Sequence, residues 1–178
     1  MLVVVTGVPG AGKTTLGAAL AQTLDVPFLS LDSIKERLYR SDDTTGAYEL
    51  RMAAEAELSF RLGELGGLAV VDIWIAPQRD TVRVSSLLLA QNAEVVEVLC
   101  RVPADVAVRR YAGRSRSGPH RAPDSATLGR IRDAVEQFQP LGIGCCIEVE
   151  TSSPVDLKRL TERLQGRSRA GCTGSGEG

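Results

Sequence analysis

Five short apolar runs alternate with longer stretches in which apolar residues recur every three or four positions, and the two periods sort the chain into strands and helices. Residues 2–6 (LVVVT) form the first run, read as a buried strand. Residues 13–24 follow as a helix, with Leu16, Leu20 and Leu24 at helical spacing. Residues 26–31 (VPFLSL) are a second short strand, 32–40 a short helix and 41–45 a polar loop. Residues 48–65 form a longer helix, stopped by Gly66-Gly67. A third strand at 68–73 is apolar except for Asp72, and residues 78–91 are helical. Residues 94–100 are the fourth strand, and Pro103 opens the next helix at a position proline favours. Residues 113–123 (GRSRSGPHRAP) form a loop rich in glycine, proline and arginine. Helix 124–138, strand 145–150 and helix 154–164 complete the pattern.

Apolar strands alternating with helices predict an α/β fold. It is a five-stranded parallel sheet with helices on both faces, a three-layer sandwich. One domain spans residues 1–165, with a lid at about 110–123 and a disordered Gly/Ser-rich tail at 166–178.

Composition narrows the partners. Acidic and basic residues nearly balance over the 178 residues, leaving a net charge of −1. No dense basic groove is visible apart from the lid, which argues against nucleic acid and acidic membranes as partners. No run reaches membrane length, and the first apolar run is too short for a signal-peptide core. Cys100, Cys145, Cys146 and Cys172 follow no zinc spacing and read as free thiols in a reducing cytoplasm. Oligomeric state is not legible at this level.

The chemistry begins between the first strand and the first helix. Gly7-Val8-Pro9-Gly10-Ala11-Gly12-Lys13-Thr14 matches G-x-x-x-x-G-K-[ST] in the context that motif needs, after a strand and opening a helix. Glycines let the backbone wrap phosphate oxygens, and successive N–H groups make an anion cradle at the helix N-terminus. Lys13 is placed for the β- and γ-phosphates of ATP, the Thr14 hydroxyl for Mg2+, and Thr15 for the α-phosphate side. The fold class is thereby a P-loop NTPase.

Two acids sit where the second and third strands end, the edge at which open α/β sheets do chemistry. Asp72 closes the run Leu68-Ala69-Val70-Val71-Asp72 and is the metal-holding candidate beside Thr14. Asp32 is the candidate general base for an attacking hydroxyl. Asp32 or Ser33 is equally placed to cap the next helix, and Ser33-x-x-Glu36 fits a capping box. Arg109, Arg110, Arg114, Arg116 and Arg121, with His120, crowd the lid. Arg110 and Arg114 share a face if the helix continues, and arginines there can neutralise a phosphoryl group in flight.

Together the loop, the strand-end acids and the lid resemble the small P-loop kinases of the AAA_33 group (zeta toxin, polynucleotide kinase and chloramphenicol phosphotransferase-like enzymes). More distant gluconate- and shikimate-kinase relatives resemble it too. The likeness runs from Leu2 to about Gln165. It rests on GVPGAGKTTL, FLSLDSIKERL, LAVVDIWIAPQRD, VLCRVPADVAVRRYAGRSR and QPLGIGCCIEVETSSP. The resemblance implies Asp32 as general base, Arg37 and Arg79 toward substrate or phosphate, and Arg110 and Arg114 as lid arginines. It also implies that Thr151-Ser152-Ser153-Pro154 borders the adenine. Where that group often has Asp-Thr after the fifth strand, this chain has Glu150-Thr151.

The reading is an ATP- and Mg2+-dependent phosphotransferase with a small hydroxylated acceptor, such as a sugar, a nucleoside-like compound or an antibiotic. Tyr39, Tyr48, Arg51, Met52 and Trp74 are placed to line the acceptor site, where Trp74 can stack on a ring. Two other readings share these motifs: a regulatory nucleotide-binding ATPase, and a toxin-type kinase of a nucleotide-sugar. The sequence lacks the N-K-x-D guanine signature of a GTPase.

Overall fold

In a computed structural model, which describes residues 1–77, 79–113 and 124–170, the strands and helices alternate as their periods require. They are β1 (Leu2–Thr6), α1 (Lys13–Leu24), β2 (Phe28–Ser30), α2 (Leu31–Ser41), α3 (Ala47–Glu64) and β3 (Ala69–Asp72). Then come α4 (Thr81–Leu89), β4 (Val95–Arg101), α5 (Ala104–Ala112), α6 (Ser125–Gln137), β5 (Cys145–Glu150) and α7 (Leu157–Ala170). All strands pair in parallel, in the order β2-β3-β1-β4-β5.

Every residue of β1 is buried, and its side chains divide by parity. Val3 and Val5 face one cluster with Leu16 and Leu20 of α1, Ala107 of α5, Ile131 of α6, and Leu160 and Leu164 of α7. Leu2 and Val4 face the other, with Ile34 of α2, Leu58 and Leu62 of α3, and Val84 and Leu88 of α4. Period two in the strands thus makes the two helical layers. Each fully buried leucine, such as Leu20, Leu58 or Leu62, contributes about 1.5–3 kcal/mol through removal from water.

Several boundaries differ from the sequence reading for local reasons. β2 stops at Ser30, because the Ser30 hydroxyl accepts from Ser33 N–H at 3.4 Å and starts α2 there. Asp32 is therefore in the first turn of a helix and not at a strand end, and neither it nor Ser33 is the cap. α4 begins at Thr81, after a 73–80 segment anchored by buried Ile73, Ile75 and Asp80. α5 is described from Ala104 to Ala112, with Gly113 as its cap. Arg114, Arg116, His120 and Arg121 lie outside the described residues, as does most of the expected lid. α7 runs to Ala170, past the expected end at residue 164, and only the last part of the tail falls outside the description. Cys100 and Cys146 are free thiols, whereas Cys145 is disulfide-bonded, against the expectation of free thiols throughout. Among the described residues no helix is long and apolar enough to cross a membrane.

Candidate active site

The loop between β1 and α1 carries positive φ at Gly7 (133°), Gly10 (86°) and Gly12 (84°). At Gly10 the need is steric as well, since a Cβ there would sit 2.2 Å from the Ala107 carbonyl oxygen. α1 has no acidic residue in its first turn, so nothing in that turn opposes an anion at its N-terminus. Lys13 is buried and donates from Nζ to the Val8 carbonyl at 3.0 Å. Its ammonium lies 6.0 Å from the centre of the Trp74 ring, which stacks on Phe138 at 5.6 Å.

Asp72 closes β3 directly beside the start of α1. The Thr14 hydroxyl donates to Asp72 Oδ2 at 2.5 Å, and the Ser30 hydroxyl approaches the same oxygen at 3.5 Å. Burial raises the Asp72 pKa above the usual carboxylate range. The Lys13 charge and the Thr14 hydrogen bond oppose that rise, and the Asp32 charge adds to it. A hydroxyl and a carboxylate in contact beside a phosphate cradle are the hard oxygen donors that fit Mg2+, a cation that completes its shell with water and phosphate. The neighbouring Cys100 thiol is pushed up to about 12 by burial, so it packs as a neutral group.

One cavity of about 970 Å³ joins the cradle to a second chamber. Pro9, Lys13, Thr14, Thr15 and Asp72 line it at the phosphate end, and Asp32, Tyr48, Trp74 and Arg79 line the chamber. Gly7, Gly10, Ala11 and Gly12 complete the loop behind Lys13. Of the remaining expected lining residues, Arg51 and Met52 reach the cavity and Tyr39 does not.

Arg37 points elsewhere, whereas Arg110 stays beside the phosphate loop, its Nη1 3.8 Å from where a Cβ on Gly12 would stand. Arg37 pairs with Glu57 of α3 and stays outside the cavity. The Glu57 hydrogen bond raises its pKa further, and the pair bridges α2 and α3. Arg110 donates to the Thr151 carbonyl at 2.9 Å and the Ser152 carbonyl at 3.1 Å, holding the loop after β5.

The chamber wall also contains a charge network that sequence reasoning missed. Glu55 and Asp80 are 4% and 2% exposed. Glu55 accepts from Arg51 Nε and from Arg83 Nε at 2.8 Å. Asp80 accepts from Arg79 at 2.8 Å, Arg83 at 3.0 Å and Ala76 N–H at 3.2 Å. Burial pushes the Asp80 carboxyl up, but the Arg79 hydrogen bond, the Ala76 N–H and the Arg51 charge together hold it below its usual value. Arg51 also donates to the Trp74 carbonyl at 3.1 Å, which fixes the segment carrying the indole. The i,i+4 spacing of Arg51 and Glu55 was the available local signal. The Glu55–Arg83 pair, 28 residues apart, had none.

Comparison with known proteins places this architecture. A candidate kinase from Chloroflexus aurantiacus J-10-fl superposes with a TM-score of 0.76 at 22% identity, covering 96% of this chain and 97% of that one. Shikimate kinase from Bacteroides thetaiotaomicron gives 0.62 at 22% identity over 95% and 98%. A gluconokinase from Sinorhizobium meliloti 1021 gives 0.58 at 20% over 94% and 97%. At these identities the likeness is one of fold. A stretch of 37 residues is 57% identical to shikimate kinase of Bacteroides fragilis, covering 20% of this chain and about a fifth (21%) of that enzyme. Residues 2–141 match the AAA_33 family, described as an AAA domain, and with most of the chain inside that match the protein belongs to this family of P-loop proteins.

Proposed function

We propose that the protein is an ATP-dependent phosphotransferase that moves the γ-phosphate of ATP to a hydroxyl of a small molecule, with Asp32 as general base. The observation that carries this reading is one cavity lined both by the phosphate cradle and by Asp32. Asp32 is exposed to that cavity and close enough to Asp72 for the two charges to interact. A carboxylate so placed can orient an acceptor hydroxyl and take its proton, and phosphoryl transfer asks little more of a protein than positioning and charge.

Each residue has a part. Gly10, Ala11, Gly12, Thr15 and the start of α1 cradle the phosphates. Lys13 supplies the positive charge at the β/γ position. Thr14 and Asp72 would hold Mg2+, which when bound neutralises charge on the phosphate oxygens. Tyr48, Trp74 and Arg79 shape the acceptor chamber, whose size and aromatic wall favour a sugar, a nucleoside-like compound or a hydroxylated antibiotic. Arg110 braces the loop after β5 on the nucleotide side, and Arg114 follows it in sequence as the charge-neutralising arginine. Relatives whose names are kinases of shikimate and gluconate, both small hydroxylated acids, support the acceptor class.

The test is transfer from γ-labelled ATP with Mg2+ to a panel of sugars, nucleosides and hydroxylated antibiotics, run beside Asp32→Asn. A labelled product that disappears in the variant is expected. ATP hydrolysis unaffected by every acceptor, with no labelled product, would overturn the phosphotransferase reading in favour of a regulatory ATPase.

A further inference from the structure

The phosphate cradle is held from behind by a residue 140 positions away in sequence. Thr151, at the end of β5, is 7% exposed. Its hydroxyl lies 2.7 Å from the Ala11 carbonyl oxygen and 2.9 Å from the Arg101 carbonyl oxygen. Its own N–H donates to that same Arg101 oxygen at 2.9 Å. A hydroxyl has one proton to give. The shorter approach, to an oxygen not already served by Thr151 N–H, is the one to Ala11.

That choice has a geometric consequence. A trans peptide is planar, and its C=O and N–H point in opposite directions. Holding the Ala11 carbonyl outward, against β5, turns the Gly12 N–H inward. Two other carbonyls of the loop accept from the loop or from α1. Val8 O accepts from Ala11 N–H at 3.1 Å and from Lys13 Nζ at 3.0 Å, and Gly12 O accepts from Leu16 N–H at 3.0 Å. The Gly12 N–H makes no backbone hydrogen bond among the described residues. It is the donor that a phosphate oxygen would take. Gly12 is left-handed at φ 84°, and a Cβ there would meet Arg110 Nη1 at 3.8 Å and Thr151 Cβ at 3.9 Å, so this corner of the loop sits directly on the Thr151–Arg110 pair.

We infer that Thr151 is a positioning residue of the phosphate cradle: its hydroxyl, donated to Ala11 O, fixes the Ala11–Gly12 peptide so that Gly12 N–H faces the nucleotide phosphates. The inference rests on the nucleotide-binding reading but not on any acceptor. Because the Thr151 carbonyl also receives Arg110, the residue ties the cradle to the helix that leads toward the arginine-rich segment.

The experiment is calorimetric titration of the full chain, with Mg2+, by ADP and separately by AMP, for wild type, Thr151→Val and Thr151→Ser, with melting curves recorded without nucleotide. Thr151→Val keeps the shape and loses the donor. It should weaken ADP by about tenfold, the worth of one hydrogen bond at the upper end. AMP, which places no β-phosphate in the loop, should weaken less. Thr151→Ser keeps the donor and should bind ADP as wild type does, even with a lowered melting temperature. Wild-type ADP affinity in Thr151→Val would overturn the assignment. So would equal losses for ADP and AMP, which would move Thr151 to the base-binding loop. Failure of Thr151→Ser to retain ADP affinity would assign the effect to methyl packing, and that arm decides the matter if the valine variant does not fold. A wild-type protein that binds neither nucleotide would remove the nucleotide reading and this inference with it.

Discussion

Thr14 Oγ1 and Asp72 Oδ2 are 2.5 Å apart across the junction of α1 and β3, which makes the two cavity-lining residues a single donor–acceptor unit. The Asp72 carboxyl is buried, and its folded-state pKa stands above that of the unfolded chain. The folded protein therefore holds this proton more tightly, and stability falls as pH rises from the unfolded value of 3.8 through the raised one. Asp72→Asn removes that loss. Its melting temperature without nucleotide should exceed wild type at pH 7, and the gap should close as pH is lowered toward 4. With Mg2+–ADP present the order should reverse, because only wild type gains a metal-dependent stabilisation.

Lys13 is the one cation set directly in the loop, so its loss leaves the transferring phosphates without their closest positive charge. Lys13→Ala should lower transfer by about 10²–10³-fold, the range seen when one preorganised donor to a developing charge is removed. Single-turnover transfer from labelled ATP measures it, and an unchanged rate would dissociate Lys13 from the chemistry.

Asp32→Asn keeps the size of the side chain and removes its basicity. Transfer should fall by about 10²–10⁴-fold while ATP affinity stays at the wild-type value. Comparing the ATP dissociation constant by calorimetry with kcat for the acceptor found by the panel separates the two. A parallel loss of both would make Asp32 a nucleotide-binding group.

Glu55 accepts from both Arg51 and Arg83, and its removal leaves a guanidinium in the wall with no carboxylate on α3. Arg51 is only 11% exposed. Asp80 still faces both guanidinium groups, so Glu55→Gln should destabilise the fold by about 1.5–3 kcal/mol, the worth of hydrogen bonds to a charged group. Urea denaturation monitored by the fluorescence of Trp74, the chain's sole tryptophan, reads this. The same variant should raise KM for the acceptor more than KM for ATP, because the disturbed arginines line the cavity from α3 and α4 and not from the phosphate loop.

Gly10→Ala would place a methyl carbon 2.2 Å from the Ala107 carbonyl oxygen at a φ of 86°. The strain, about 1–3 kcal/mol for the backbone alone, should lower the melting temperature and weaken ADP together, since relief requires the loop or α5 to move. Unchanged ADP affinity in a folded variant would show that the loop tolerates displacement from α5.

The sheet, its two helical layers and the phosphate loop were legible in the sequence because each rests on local physics. Alternation along β1 assigns Val3 and Val5 to one face and Leu2 and Val4 to the other, and a strand–glycine–lysine–helix run has few other conformations open to it. Asp72 was legible for the same reason, as the one polar residue of an apolar strand. What the sequence left open was set by groups distant along the chain. Whether Asp32 ended a strand or began a helix turned on the Ser30 cap. Arg37 left the site because the packing of α2 on α3 put Glu57 within reach. The wall arginines are held by Glu55, reached from Arg83 across 28 residues, and the Ala11–Gly12 peptide is held by Thr151 across 140. Periodicity and motif report the short-range terms of the energy, whereas a charge or hydroxyl finds its partner only once the folded chain has brought the two together.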